Sequence, residues 1–279
     1  MSARVLVDGV ADASVAALDR GLLYGDGLFE TILFVDGHAP LWARHMTRLT
    51  DGCARLALPM PDPALLAAEA ARVIEARGRS VLRITLTRGI GARGYAPPAP
   101  TPSTRIVAAF AAPVVAAHWS AGGIRVRFCD MRLALQPRLA GIKHLNRLEQ
   151  VLARAEWNDP AIAEGLMLDT EGRVIAATAA NLFAVVGGRL CTPRLDRCGV
   201  AGVARAEVMA QVPTTETDLD PAALERASEI FLTSAGAGGE CRGDRTDAAG
   251  LGRGLRHSQG GSLRDLRSLH ISRAAGRSR

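Results

Sequence analysis

From Ser80 to Arg88 the chain alternates without interruption. Leu82, Ile84 and Leu86 fall on one face, and Arg83, Thr85 and Thr87 on the other. A two-residue period of this kind belongs to a strand that lays one face on a core. The apolar run Leu28–Val35, closed by Asp36-Gly37, and the segment Arg105–Ala112 read as further strands, and residues 4–10 as a short strand with a turn at Asp8-Gly9. Helical patterns lie between them. Trp42, Met46, Leu49, Cys53 and Leu56 recur at helical spacing within Pro40–Leu58. Asp62-Pro63 is an N-cap followed by proline at the first helical position, and it opens a helix expected to run through Arg77 and end at Gly78. The glycine-rich stretch from Asp19 to Gly27 reads as irregular. Strands with helices segregated between them predict an α+β fold.

The second half repeats that style. Pro113–Gly123 reads as a connection, and Ile124–Phe128 as a strand. Ile142–Trp157 carries Ile142, Leu145, Leu148 and Leu152 on one helical face. Gly165–Asp169 with Arg173–Thr178, and Asn181–Val186 with Arg189–Thr192 around Gly187-Gly188, read as hairpins. Gly199–Gln211 reads as a helix, Asp220-Pro221 as the cap of another, and Ser228–Thr233 as a strand. The expected organisation is an N-terminal αβ domain (1–112), a connection (113–123), a C-terminal αβ domain (124–235) and an atypical Gly/Arg-rich tail (236–279).

That tail accounts for most of the charge. The whole chain has a net charge of +6, and residues 236–279 alone hold nine arginines against three aspartates and one glutamate. The basic balance therefore describes a tail and not the face of a domain, which argues against nucleic acid as a partner. With ten glycines and no aromatic residue, the tail buries too little apolar surface to offset the entropy of ordering it. It reads as disordered or as the product of a reading-frame change, which would leave the C-terminal part of the fold incomplete. No apolar run approaches the roughly 20 residues of a membrane helix, and the N-terminus has no apolar targeting core, so the expectation is a cytoplasmic protein without a membrane partner. The five cysteines show no Cys-x-x-Cys pair and the six histidines no metal spacing, so no metal site is expected.

Lys143 stands out chemically. Of the 34 lysines and arginines, it alone is a lysine. Arginine replaces lysine wherever only charge and stem matter, but not where a primary amine must attack a carbonyl. Lys143 therefore reads as a Schiff-base lysine, weighed against a chance survivor on the surface. Gly89–Gly94 matches G-x-G-x-x-G after a strand, but Tyr95-Ala96-Pro97-Pro98 cannot be the helix that a dinucleotide site needs. A flexible loop presenting Arg93 and Tyr95 to a ligand is the better reading, with Arg93 suited to a carboxylate, weighed against an ordinary solvent-exposed loop arginine. Gly199 to Arg205 is a glycine-bracketed helix entry, either an anion site or an ordinary helix start.

Together these pieces resemble the fold-type IV (D-amino-acid aminotransferase-like) pyridoxal phosphate enzymes, and within them the aminodeoxychorismate lyases. The likeness is carried by Asp19-Arg20-Gly21, Tyr24 to Thr31, His45 to Leu49, Thr87 to Tyr95, Leu139 to Gln150, Ala180 to Phe183, and Thr192 to Gly202. It implies two αβ domains, a homodimer and pyridoxal 5′-phosphate as cofactor. It also implies that Lys143 forms the Schiff base and that Arg48 binds the phosphate, with backbone N–H groups at Val203 and Ala204 and near Ser234 and Ala235. The implied reaction turns 4-amino-4-deoxychorismate into 4-aminobenzoate and pyruvate, in folate synthesis. An amino-acid transaminase of the same fold and an inactive homologue are the alternatives. One departure motivates the latter. Many relatives set a glutamate against the pyridine nitrogen, and the corresponding residue here is Ala176.

Overall fold

The computed structural model describes residues 4–113, 123–235 and 269–271. Most of the expected connection and tail lies outside those residues. The chain divides into two compact units. The first is Met1–Pro113 with Ile142–Arg147 and Ala235–Ala237, and the second is Val114–Gly141 with Leu148–Ser234 and Gly238–Arg279.

The first unit is a five-stranded antiparallel sheet with helices packed on it. Its strands are β1 (Arg4–Val7), β2 (Val10–Ala11), β3 (Gly27–Val35), β4 (Arg79–Thr87) and β5 (Thr104–Ala111), in the order β2-β1-β5-β4-β3. The alternation read in β4 holds: Leu82, Ile84 and Leu86 are at most 1% exposed. Helix α2 (Trp42–Leu56) lays Met46, Leu49 and Cys53 into the same core, and α3 (Pro63–Val73) adds Leu66 and Ala70. Asp62 caps α3 as expected, its side chain accepting the Ala64 N–H at 2.8 Å.

Two local expectations in this unit are corrected. Helix α3 ends at Val73 instead of Arg77, because Ile74 is already extended. The chain must by then reach the turn after β3, where Asp36 N–H donates to the Gly78 carbonyl and Gly78 N–H to the Asp36 carboxylate, both at 2.8 Å. The Asp19–Gly27 stretch is not wholly irregular. It holds the five-residue helix α1 (Arg20–Tyr24), started by the Asp19 side chain on Gly21 N–H and stopped by Gly25 in the left-handed region.

The second unit has two four-stranded sheets. One runs β11-β10-β9-β12, built from β9 (Asn181–Val186), β10 (Arg189–Pro193), β11 (Thr215–Thr217) and β12 (Glu229–Thr233). The other runs β13-β6-β7-β8, from β6 (Ile124–Leu133), β7 (Ile162–Asp169), β8 (Val174–Ala177) and the short β13 (Leu269–Ile271), with β6 and β7 parallel. Both expected hairpins form. Gly187 and Gly188 have φ of 56° and 76°, the pair of positive values a type I′ turn demands. Helices α4 (Leu148–Arg154), α5 (Val203–Gln211) and α6 (Pro221–Glu225) complete the unit.

The expected helix over Ile142–Trp157 is the largest correction, because it concerns Lys143. Only Leu148–Arg154 is helical. The residues around Lys143 form an isolated bridge and bends, not a helix, and lie against β3. Lys143 C=O accepts the Phe29 N–H at 2.9 Å, and Leu145 N–H donates to the Gly27 C=O at 3.0 Å. Backbone groups committed to a neighbouring strand cannot also close helical rings.

Candidate active site

The site in the first unit is built on β3. Gly27 lets the 143–145 segment come close: a Cβ there would sit 2.3 Å from the Leu86 carbonyl oxygen and 2.8 Å from Leu145 Cδ1. The next residue but one, Phe29, binds Lys143 through its backbone, and its ring centroid lies 4.4 Å from Lys143 Nζ. Burial is the main reason the Lys143 ammonium is disfavoured. The nearby Arg48 adds to it, and Glu30 opposes it only in part. The result is a pKa brought down to about 8. Near pH 7.5 roughly a quarter of such amines are neutral, on the order of a hundredfold more than for an unperturbed lysine. That is the state a carbonyl-attacking amine needs.

Glu30 follows Phe29 on β3 and is 1% exposed. From α2, Arg48 grips it with both arms, Nε on Oε1 at 2.8 Å and Nη2 on Oε2. His45, one turn earlier on the same helix, places Nδ1 2.6 Å from Oε2. Burial alone would raise the Glu30 pKa, but the hydrogen bonds from His45 and Arg48 outweigh it and the carboxyl is held below its usual range. His45 is shifted down by burial despite its bond to Glu30, so the ring is neutral and Nδ1–H is the donor. Neither Glu30 nor His45 was singled out in the sequence reading. The available signal was a lone carboxylate inside the apolar run Leu28–Val35, with His45 and Arg48 three apart on an amphipathic helix.

Arg93 and Tyr95 are on an exposed loop of this unit, with Tyr95 83% exposed and its ring centroid 5.3 Å from that of Tyr24. Among the described residues no hydrogen bond or ion pair joins either to Lys143. The loop is held from beneath by buried Arg20. Its guanidinium donates to the carbonyls of Gly94, Tyr95 and Ala96 at 2.9, 3.0 and 3.3 Å, and to Asp26 at 2.9 Å.

In the second unit, Val203 and Ala204 open α5. Gly202 is the N-cap and no side chain caps the first turn. A Cβ at Gly202 would fall 2.0 Å from Asn181 Oδ1, so the approach to this helix start requires glycine. The Thr233 hydroxyl, next to Ser234, is buried and has no hydrogen-bond partner among the described residues. Ala176 is buried beside Cys129, Met167 and Trp157 in an apolar cluster, and Thr178 on the same strand edge donates to Glu164.

Residues 27–239 match the family model of class IV amino-transferases. The chain belongs to that family. Among curated members of the class IV aminotransferase family, an aminodeoxychorismate lyase of Vibrio harveyi is 36% identical over 203 residues, covering 73% of this chain and 75% of the relative. A putative branched-chain-amino-acid aminotransferase of Methanocaldococcus jannaschii is 31% identical over 236 residues, 81% of each chain. Among solved structures, the 4-amino-4-deoxychorismate lyase of Pseudomonas aeruginosa superposes with a TM-score of 0.79 at 47% identity, over 84% of this chain and 88% of that one. The Escherichia coli branched-chain amino acid aminotransferase gives 0.74 at 24% identity, over 84% and 83%, a likeness of fold.

The expected fold class is therefore correct, and the protein is a pyridoxal 5′-phosphate-dependent enzyme of this family. The residues present fit such a cofactor. Lys143 is a half-buried amine whose neutral form is far more populated than in an ordinary lysine. Taken by itself, the second unit offers the N–H groups at the start of α5, where among the described residues no side chain caps the first turn, as donors of the kind an anion takes. Among the described residues no helix is long and apolar enough to cross a membrane.

Proposed function

We propose that this class IV aminotransferase homologue is an aminodeoxychorismate lyase, which splits 4-amino-4-deoxychorismate into 4-aminobenzoate and pyruvate for folate synthesis in the cytoplasm. The observation that carries the reading is the half-buried Lys143, its ammonium disfavoured by partial desolvation, within the Gly141–Gln150 segment. The two lyases named above, at 36% and 47% identity, support it over the aminotransferases, at 31% and 24%.

Lys143 would hold the cofactor through Nζ, and Arg48 its phosphate. Further phosphate contacts are assigned by resemblance to the N–H groups of Val203 and Ala204 and to Ser234 and Ala235. When bound, the cofactor supplies an electron sink for charge developing at the substrate carbon that bears the nitrogen. The residues do the rest. Nζ of Lys143 would be the base for the proton at C4 of the substrate, and its lowered pKa suits it to take and return a proton near neutrality. Arg93 is assigned to a substrate carboxylate and Tyr95 to the same loop surface. Loss of pyruvate leaves an aromatic ring, which drives the cleavage. By the resemblance, Ala176 stands where many relatives set a glutamate against the ring nitrogen, so the electron sink the cofactor would supply is weaker here.

A homodimer is part of the proposal. Leu148 and Val151 of α4 are 68% and 60% exposed, an apolar stripe that a second copy would cover.

Incubation with enzymatically generated aminodeoxychorismate tests the activity. Equal amounts of 4-aminobenzoate and pyruvate should form without any added keto acid. Amine transfer that depends on a keto acid would identify a transaminase instead. The pH dependence of cofactor capture tests the state of Lys143. The rate should rise with pH and reach half its limit near pH 8, because only the neutral amine attacks. In Arg48→Ala the midpoint should move up, since a neighbouring positive charge is gone. In Glu30→Gln it should move down.

A further inference from the structure

We infer that the buried His45–Glu30 pair orients the Arg48 guanidinium for the cofactor's phosphate, making Glu30 a positioning residue for phosphate recognition. This rests on the assignment of Arg48 to the phosphate. Glu30 sits 1% exposed as the only charged residue of β3, a costly place for a carboxylate unless both oxygens are used. Both are. Arg48 Nε donates to Oε1 at 2.8 Å and Nη2 to Oε2, a two-point grip that sets the plane and the rotation of the guanidinium. His45, also 1% exposed, holds Oε2 from the other side at 2.6 Å and stops the carboxylate from turning with the arginine. Helix α2 delivers His45 and Arg48 from one face, one turn apart, so the grip is rigid at both ends.

A second role for Glu30 would be simple neutralisation of Arg48, and the two roles predict opposite signs. If Glu30 only dilutes the positive charge, Glu30→Gln tightens phosphate binding. If it orients the guanidinium, Glu30→Gln weakens it. The amide has one accepting oxygen and cannot receive Nε–H, Nη2–H and the His45 N–H together.

The test titrates cofactor-free protein with pyridoxal 5′-phosphate and with pyridoxal, which lacks the phosphate, following the visible absorption. Both ligands react with Lys143, so any change in that amine affects them alike. Glu30→Gln should lower the ratio of pyridoxal 5′-phosphate affinity to pyridoxal affinity about tenfold, a ratio from which any change in the Lys143 amine cancels. Arg48→Ala should lower that ratio further. An unchanged or higher ratio in Glu30→Gln, with the ratio lowered in Arg48→Ala, overturns the orienting role and leaves the phosphate assignment standing. Equal loss of both ligands in Glu30→Gln also overturns it, as the mark of a general structural role. If Arg48→Ala leaves the ratio unchanged, the phosphate assignment itself fails. Should the Glu30→Gln protein not fold, Glu30→Asp decides. It keeps the charge but withdraws the grip, so phosphate-selective loss supports the inference and its absence overturns it.

Discussion

Lys143→Ala should lower turnover of aminodeoxychorismate by roughly a thousandfold or more, the combined loss of covalent anchoring and of a general base. The loaded protein should also lose the visible band that cofactor bound at this amine would produce. Lys143→Arg should be just as inactive, although it keeps the positive charge and fits a chain in which every other long basic side chain is arginine. Guanidinium stays protonated, so it can neither attack a carbonyl nor take a proton. Folding should be nearly unaffected in Lys143→Ala, because the segment is held by backbone bonds to Gly27 and Phe29 and not by the side chain. Circular dichroism and product assays together separate these effects. A Lys143→Arg enzyme with substantial activity would remove the amine from the mechanism.

Gly27→Ala should be the most damaging small substitution near the site, costing about 2–3 kcal/mol of stability. The added methyl would lie 2.3 Å from the Leu86 carbonyl oxygen, which belongs to the neighbouring strand and cannot swing aside as a side chain would. It would also press on Leu145 at 2.8 Å, the residue whose N–H fixes the Lys143 segment to β3. Thermal unfolding should show the loss. Cofactor capture should slow as well, because the amine is no longer presented by a fixed backbone. A Gly27→Ala protein as stable and as fast as the parent would show that the close packing at β3 is dispensable.

Much of the fold was readable because it rests on local rules. The alternation in β4, the Asp62-Pro63 start of α3 and the paired glycines at 187 and 188 each specify a conformation with no help from distant residues. The misreadings share a cause. Ile142, Leu145 and Leu148 are spaced as on a helix face, but the backbone around Lys143 is claimed by β3, more than a hundred residues earlier in the chain. The end of α3 is likewise set by a tether to the β3 turn, which spacing within the helix does not reveal. Helix α1 is too short to show a period. Lys143 was legible as a candidate by its isolation among arginines, and Arg48 by family likeness. The contacts of Glu30 with His45 and Arg48 were not, since a carboxylate within β3 is only an interruption until its partners on α2 are known.

Because Lys143 is the only lysine, one measurement addresses the cofactor's attachment without ambiguity. The protein is loaded with pyridoxal 5′-phosphate, reduced with borohydride and mapped by peptide mass spectrometry. One phosphopyridoxyl group per chain on the peptide containing Lys143 is the expected result. An unlabelled Lys143, or a label carried solely by the N-terminal amine, would contradict the account.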